Sequence, residues 1–355
     1  MAIKILIVDD SALMRRQLVE LFRKAGEFEI RTARNGQEAI EENLAFEPDV
    51  ITLDINMPVM DGLTALAHIM AQRPVPVVMV SSLTEKGALA TFEALALGAV
   101  DYVAKPGGTI SLSIDEIKEE LLAKVRVAAR AKLKRKRDLR GQPKWEEGSA
   151  AKPSFERWPS VGGKPQGLVL IGSSTGGPST LELILPSLPG DYPFPIIVAQ
   201  HMPASFTGPF ASRMDNLCAL KVVEVREPME LRPSTVYIAR GGADVIVTNR
   251  SGLVMVVPRP ESKNFIWHPS VEILGQSALE YWEPEKLIGV MLTGMGHDGA
   301  EAFAEIKKRG GRTIAESEES AVVFGMPKEL IARGGASLIL PAQRIAGQLI
   351  AWARS

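Results

Sequence analysis

Cysteine is nearly absent. A single thiol, Cys218, among 355 residues excludes an intrachain disulfide and any cysteine-built metal cluster, and it fits a reducing compartment. Long apolar runs are missing too: none approaches the ~18–20 residues that a membrane-spanning helix needs. The first apolar stretch, Ile5 to Val8, is too short for a signal peptide and runs straight into Asp9 and Asp10. Nor is there an excess of charge of one sign. Forty-one Lys and Arg stand against 42 Asp and Glu, a formal net charge of -1, so a general nucleic-acid binder is not indicated. The expectation is a cytoplasmic protein, not membrane-embedded, with no nucleic-acid partner.

What is present is an ordinary globular mixture, 46% hydrophobic and 23% charged. A single core rarely grows past about 250–300 residues, so a chain of this length is expected to divide. Residues 1–122 alternate short β-branched runs (3–8, 50–53, 75–80, 102–103) with helical patterns (13–25, 63–70, 88–97, 114–127). Residues 166–352 do the same, with strands at 168–171, 196–199, 236–239, 287–292 and 338–340 and helices at 181–188, 270–281 and 299–309. A β-hairpin is predicted over 245–257 through Arg250-Ser251-Gly252. Strand–helix alternation predicts two doubly wound α/β domains with parallel sheets. Residues 123–165 join them. Their basic run, Lys132-Leu133-Lys134-Arg135-Lys136-Arg137, and the Gly, Pro and Ser that follow read as a helix tail entering a solvated linker, with a docking surface for an acidic partner as the alternative.

Ligands of open parallel sheets bind beyond the carboxyl ends of the strands. In the first block those ends carry Asp9-Asp10, Asp54, Ser81 and Lys105. Each Asp alone reads as a helix cap, but the set does not. Three converging carboxylates repel one another unless a hard cation binds, and Mg²⁺ takes oxygen ligands while leaving positions for phosphate. Asp54 is then the nucleophile that forms an aspartyl phosphate, with Ser81 and Lys105 on the phosphoryl oxygens.

The block resembles the receiver domain of bacterial two-component response regulators. The resemblance rests on Ile7-Val8-Asp9-Asp10-Ser11, Leu53-Asp54-Ile55-Asn56-Met57-Pro58, Asp61-Gly62, Val80-Ser81-Ser82 and Tyr102-Val103-Ala104-Lys105-Pro106. It implies a flavodoxin-like fold and phosphorylation of Asp54 by a histidine kinase. It also implies a metal held by Asp9, Asp10, Asp54 and the Asn56 carbonyl, and a switch in which Ser81 and Tyr102 move together.

In the second block, Gly172-Ser173-Ser174-Thr175-Gly176-Gly177 follows a buried strand and precedes a helix. Glycines on both sides permit a sharp turn that lifts Ser174 to the sheet's edge, as in nucleophile elbows. The alternative is an anion-binding glycine loop. The turn lacks the Lys of a P-loop and the spacing of a dinucleotide fingerprint, so nucleotide binding loses ground. Of four histidines, His68 falls on an amphipathic helix, His268 precedes Pro269 in a loop and His297 adjoins another glycine turn. His201 directly follows a strand and is the best general base. Asp298, after Thr293-Gly294-Met295-Gly296-His297, can reach the same edge to orient an imidazole, although alone it also reads as a helix cap. The paired glycines would turn the Met295 amide inward as an oxyanion donor.

These residues resemble the catalytic domain of the chemotaxis protein-glutamate methylesterases, the CheB type. The matching motifs are Ile171-Gly172-Ser173-Ser174-Thr175-Gly176-Gly177-Pro178, Gln200-His201-Met202-Pro203, Met291-Leu292-Thr293-Gly294-Met295-Gly296 with Asp298-Gly299-Ala300, and Val322-Val323-Phe324-Gly325-Met326-Pro327. The resemblance implies a Ser174–His201–Asp298 triad, with Thr175 as an active-site contact and Met295 on the oxyanion loop. It implies hydrolysis of glutamyl γ-methyl esters, and glutamine deamidation, on the cytoplasmic helices of chemoreceptors. No cofactor is expected for hydrolysis. The chain departs from the family at His297 (usually Asn), Arg240 (commonly Pro), Ala243-Asp244 (where a His is missing) and Glu272 (often Asp). A non-catalytic binding or scaffold output domain is the rival expectation.

Overall fold

The structure, a computed structural model, describes residues 2–82, 84–105, 110–131 and 165–354. The basic run and most of the expected linker lie outside the described residues.

The N-terminal block runs β1 (Ile3–Val8), α1 (Ala12–Ala25), β2 (Phe28–Ala33), α2 (Gly36–Phe46), β3 (Val50–Asp54), α3 (Gly62–Gln72), β4 (Val77–Ser82), α4 (Glu85–Leu97), β5 (Asp101–Lys105) and α5 (Ile110–Ala128). Its strands form a parallel sheet in the order β2-β1-β3-β4-β5, the flavodoxin-like order. All of β3 is buried, as expected of a strand covered by helices on both faces. Helix α5 continues to Ala128, so the first residues of the stretch expected to be linker are helical.

The second block runs β6 (Leu168–Ser173), α6 (Gly177–Ile184), β7 (Ile196–Gln200), α7 (Ala204–Leu217), β8 (Lys221–Val225), β9 (Met229–Glu230), β10 (Thr235–Ala239), β11 (Asp244–Arg250), β12 (Leu253–Arg259), α8 (Val271–Tyr281), β13 (Leu287–Met291), α9 (Ala300–Lys308), β14 (Arg312–Glu316), α10 (Met326–Ala332), β15 (Leu338–Leu340) and α11 (Ala342–Ala353). Seven strands make a parallel sheet in the order β15-β14-β13-β6-β7-β10-β8. The chain winds one way from β6 through β7 and the other way from β13. The switch point, where ligand crevices open, therefore lies between β6 and β13. The expected hairpin is present as β11–β12, with Ser251 and Gly252 both at positive φ, the backbone that a tight two-residue turn requires.

The two blocks pack on each other. Phe92 of α4 meets Phe206 and Phe210 of α7 at centroid distances of 6.2 and 5.4 Å. Tyr102 of β5 stacks on Phe206 at 4.6 Å. A single hydrophobic cluster contains all four rings and runs through both blocks. Among the described residues, no helix is long and apolar enough to cross a membrane.

Candidate active site and phosphoacceptor pocket

At the carboxyl edge of the first sheet, ligand oxygens of Asp9, Asp10 and Asp54 lie within 4.8 Å of one another. None of the three caps a helix: Ser11 caps α1 and Asp61 caps α3. Lys105 reaches in from the end of β5, 2.9 Å from Asp9 and 2.7 Å from Asp54. Burial, with the charge of Asp9 adding to it, outweighs Lys105 and lifts the Asp54 carboxyl above its ordinary range. Burial alone would lower the Lys105 ammonium, but the two carboxylates outweigh it and hold it above its usual value. Three hard oxygen donors beside one ammonium fit a divalent cation such as Mg²⁺, which would complete the charge balance.

The other expected pocket residues are engaged differently. Ser81 is buried, and its hydroxyl donates to the Gly87 carbonyl of α4 at 3.1 Å. Asn56 is exposed in the turn after β3. Tyr102 is buried between its own sheet and α7, and its hydroxyl has no hydrogen-bond partner among the described residues.

In the second sheet, three neighbouring strands deliver the expected catalytic residues. His201 directly follows β7, Ser174 directly follows β6, and the turn after β13 carries Met295 and Asp298. Backbone bonds lock these turns together. His201 N donates to Ser173 O at 3.0 Å, Ser174 N to Thr293 O at 3.0 Å, and Gln200 Nε2 to Ser174 O at 2.9 Å. Gly294 packs directly on the serine. A Cβ there would lie 2.8 Å from Ser174 Cβ and 2.4 Å from Met326 Sδ, so only glycine permits this approach.

His201 Nε2 lies 2.8 Å from Asp298 Oδ2, while Nδ1 is buried without a hydrogen-bond partner among the described residues. The expected carboxylate–imidazole contact is therefore made, and the expected serine–imidazole hydrogen bond is not formed among the described residues. Such bonds are often long in ligand-free enzymes and tighten with substrate.

Asp298 is not the cap of the helix that follows it; Gly299 holds that position. It sits instead at the N-terminus of α8, accepting from Val271 N at 2.7 Å, Glu272 N at 3.0 Å and Ser270 Oγ at 3.0 Å. Burial opposes its charge, but the hydrogen bond and charge of His201 and these amides outweigh burial and hold the carboxyl below its ordinary range. A helix N-terminus favours a carboxylate for the same reason it favours other anions.

Sequence reasoning missed Ser270 in this role, because it saw only a helix start; the hydroxyl accepts from Ile273 N as a cap and also donates to Asp298. It missed Gln200, whose Oε1 also takes the Ser173 hydroxyl at 2.7 Å. It missed Asp101 altogether. The Thr175 hydroxyl, next to Ser174, donates to Asp101 Oδ2 across the interface at 2.6 Å. Nothing in local pattern pairs residues 74 positions apart. Two histidines fall where expected, His68 exposed on α3 and His268 in a local pair with Asp244. His297 is exposed and turned toward Trp267.

The fold and these sites define a receiver-type switch joined to an α/β hydrolase-like domain with a polar cluster at its switch point. The family model for CheB methylesterase matches residues 169–349, and that for the response regulator receiver domain matches residues 5–114. The chain is 55% identical over 358 residues to "Protein-glutamate methylesterase/protein-glutamine glutaminase 3" of Rhodospirillum rubrum, covering 98% of this chain and 96% of that one. It is 43% identical over 351 residues to the correspondingly named protein of Archaeoglobus fulgidus, covering 98% and 97%. The crystal structure of the Thermotoga maritima CheB methylesterase catalytic domain superposes with a TM-score of 0.51 at 41% identity, over 52% of this chain and 98% of that one. The chain belongs to the CheB methylesterase family, and it is a methylesterase with a response regulator receiver domain.

Proposed function

We propose that the protein hydrolyses glutamate γ-methyl esters, and deamidates glutamines, on the cytoplasmic helices of chemoreceptors, and that phosphorylation of Asp54 activates it. The observation that carries this reading is the Asp298–His201 pair at 2.8 Å, with the second ring nitrogen buried and unpaired among the described residues and His201 tied through its backbone to the residue before Ser174. The names borne by the relatives support the substrate.

In the reaction, Ser174 Oγ attacks the ester carbonyl and His201 Nδ1 takes its proton. Asp298 balances the imidazolium. The Met295 amide, in the turn packed on Ser174, faces the developing oxyanion. Methanol leaves with the proton that His201 returns; ammonia leaves in the same way from glutamine. Water, deprotonated by His201, then releases glutamate and restores Ser174. General-base assistance contributes about 10²–10⁴ and one oxyanion donor about 10²–10³ in rate.

The receiver governs access. A histidine kinase is the phosphodonor, and Asp54 is the acceptor. Asp9, Asp10, Asp54 and the Asn56 carbonyl would hold Mg²⁺, which neutralises charge on the incoming phosphoryl group. Lys105 binds a phosphoryl oxygen. Ser81 leaves Gly87 to bind another, and Tyr102, whose buried hydroxyl lacks a partner, leaves Phe206. A buried hydroxyl without a partner costs about 1–3 kcal/mol, so the inward position of Tyr102 depends on the aromatic packing. Its departure strips the interface that also fastens Thr175 to Asp101.

The test measures methanol release from methylated receptor. Ser174→Ala abolishes it. EDTA and Asp54→Asn each leave the unstimulated rate intact and remove the rise produced by a small phosphodonor. Near-normal turnover in Ser174→Ala refutes the catalytic assignment, and a persisting rise in Asp54→Asn refutes the gating.

A further inference from the structure

Beside His201 lies a short loop, residues 262–268, and one buried carboxylate fastens both of its ends. Asp244, 2% exposed at the start of β11, accepts from Ser262 N through Oδ2 at 2.8 Å. Its Oδ1 meets His268 Nδ1 and accepts from Ser270 N, each at 2.8 Å. His268 Nε2 lies 3.2 Å from the Phe265 carbonyl, closing the loop on itself. The next residue held by Asp244, Ser270, is the one that donates to Asp298. The loop is therefore tied to the same residues that orient the triad acid.

The clamp presents Trp267 to the site. Its indole lies parallel to the His201 imidazole, with 2° between planes and 5.9 Å between centroids, within the range of an offset stack. The far edge of the indole closes on the oxyanion turn. Gly296 has φ +86°, and a Cβ there would lie 2.9 Å from two Trp267 ring carbons. His297 meets the indole edge-to-face at 5.5 Å. Trp267 thus touches both the general base and the turn beside the oxyanion site.

The geometry points to Trp267 as a positioning residue for ester hydrolysis: its indole face fixes the His201 ring and stabilises the imidazolium formed during acyl transfer. The inference rests on the triad reading above. The physical cause is the indole quadrupole. A cation against an indole face is attracted, more strongly when water is excluded. The ring also limits His201 rotation about χ2, which the single hydrogen bond to Asp298 does not fix alone. Six other ionisable groups face this arrangement. Asp298 pairs with Nε2 of His201, and Glu272 stands beside Asp298. His297 lies on the indole, with Glu329 of α10 in electrostatic reach of it. The His268–Asp244 pair lies under the loop. None of them changes in a Trp267 substitution.

Phe and Leu both keep the position apolar, but only Phe keeps a π face, so the pair separates bracing from mere cover. In the full-length, phosphodonor-activated protein, Trp267→Phe retains most of kcat and the wild-type acid limb of kcat/KM. Trp267→Leu lowers kcat about tenfold with KM nearly unchanged, and moves the acid limb down by about half a pH unit or more. The His201 imidazole titration, followed by NMR in the full chain, moves down by the same amount. A Leu variant with the wild-type acid limb and titration overturns the inference. So does a loss confined to KM, or a Phe variant as impaired as Leu. The NMR arm separates this inference from the triad. If His201→Ala abolishes turnover while the Leu titration is unmoved, Trp267 alone is wrongly assigned. If His201→Ala stays active, the triad reading fails, and with it the catalytic role of Trp267, whatever the titration does.

Discussion

Asp54 and Asp298 occupy equivalent places in two parallel sheets, each buried at the carboxyl edge, yet their surroundings drive them in opposite directions. Asp54 shares its pocket with Asp9 and Asp10, and one ammonium does not offset burial and the neighbouring negative charge. Asp298 also stands near a second buried carboxylate, Glu272, but is individually satisfied. It receives an imidazole, a hydroxyl and two amides of a helix N-terminus, and its charge is held. The first arrangement favours the arrival of a cation and an electrophilic phosphoryl group. The second keeps a permanent anion beside an imidazole. The same edge of the same architecture thus supports a switch or a catalyst, according to whether the acids are clustered or individually satisfied.

The largest expected effect breaks the permanent anion. Asp298→Asn should lower kcat on methylated receptor by about 10⁴, because a neutral amide neither fixes the useful tautomer of His201 nor balances its charge. A loss below tenfold would mean that the carboxylate is only a structural anchor of α8.

Next comes the joint between the two regions. The Asp101–Thr175 bond involves a charged acceptor, and such bonds contribute about 1.5–3 kcal/mol. Asp101→Ala should raise the unphosphorylated rate about tenfold and shrink the stimulation by phosphodonor in proportion. An unchanged unstimulated rate would show that this contact does not restrain the catalytic domain.

The smallest effect is on stability, and its sign differs between the two carboxylates. The folded-state pKa of Asp54 is raised, so its charge costs stability at neutral pH, and the cost disappears as pH falls through the raised value. Asp54→Asn should therefore increase Tm at pH 7 and lose that advantage on acidification. The folded-state pKa of Asp298 is lowered. Its contribution is complete above the ordinary aspartate range, near about pH 4, and is lost only as pH falls through the depressed value. Asp298→Asn should lower Tm at pH 7 and show a smaller deficit only at strongly acid pH. Thermal scans across pH with both variants check this; parallel profiles would contradict the contrast.

Much of the fold was legible because buried parallel strands are continuous apolar runs, and the residues just after them mark the site. Elements off that pattern were not. The edge strand β2 carries Glu29 and Arg31 and has no apolar run. Helix α7 contains Gly208 and Pro209, which argue locally against a helix; it forms because Phe206, Phe210 and Met214 are buried on one face. The short α10 has too few residues to display a period, and the strand β14 has charged Arg312 and Glu316 at its ends and no apolar run. At the sites, residue type and strand-end position were enough to bring forward Asp54, Ser174, His201 and Asp298. Their partners were not visible, because Asp101 with Thr175, Ser270 with Asp298 and Trp267 with His201 are joined only by tertiary packing. Ser81 and Tyr102 were legible as positions, but not the contacts they make, the first to Gly87 and the second to Phe206.

The central claim is that Ser174 is a nucleophile activated by His201 and uncovered by the receiver. Covalent labelling with a fluorophosphonate, followed by peptide mapping, tests it most directly. The account predicts an adduct on Ser174, formed faster after treatment with phosphodonor and Mg²⁺, and almost none in His201→Ala. No adduct on Ser174, or equal labelling with and without His201, would contradict it.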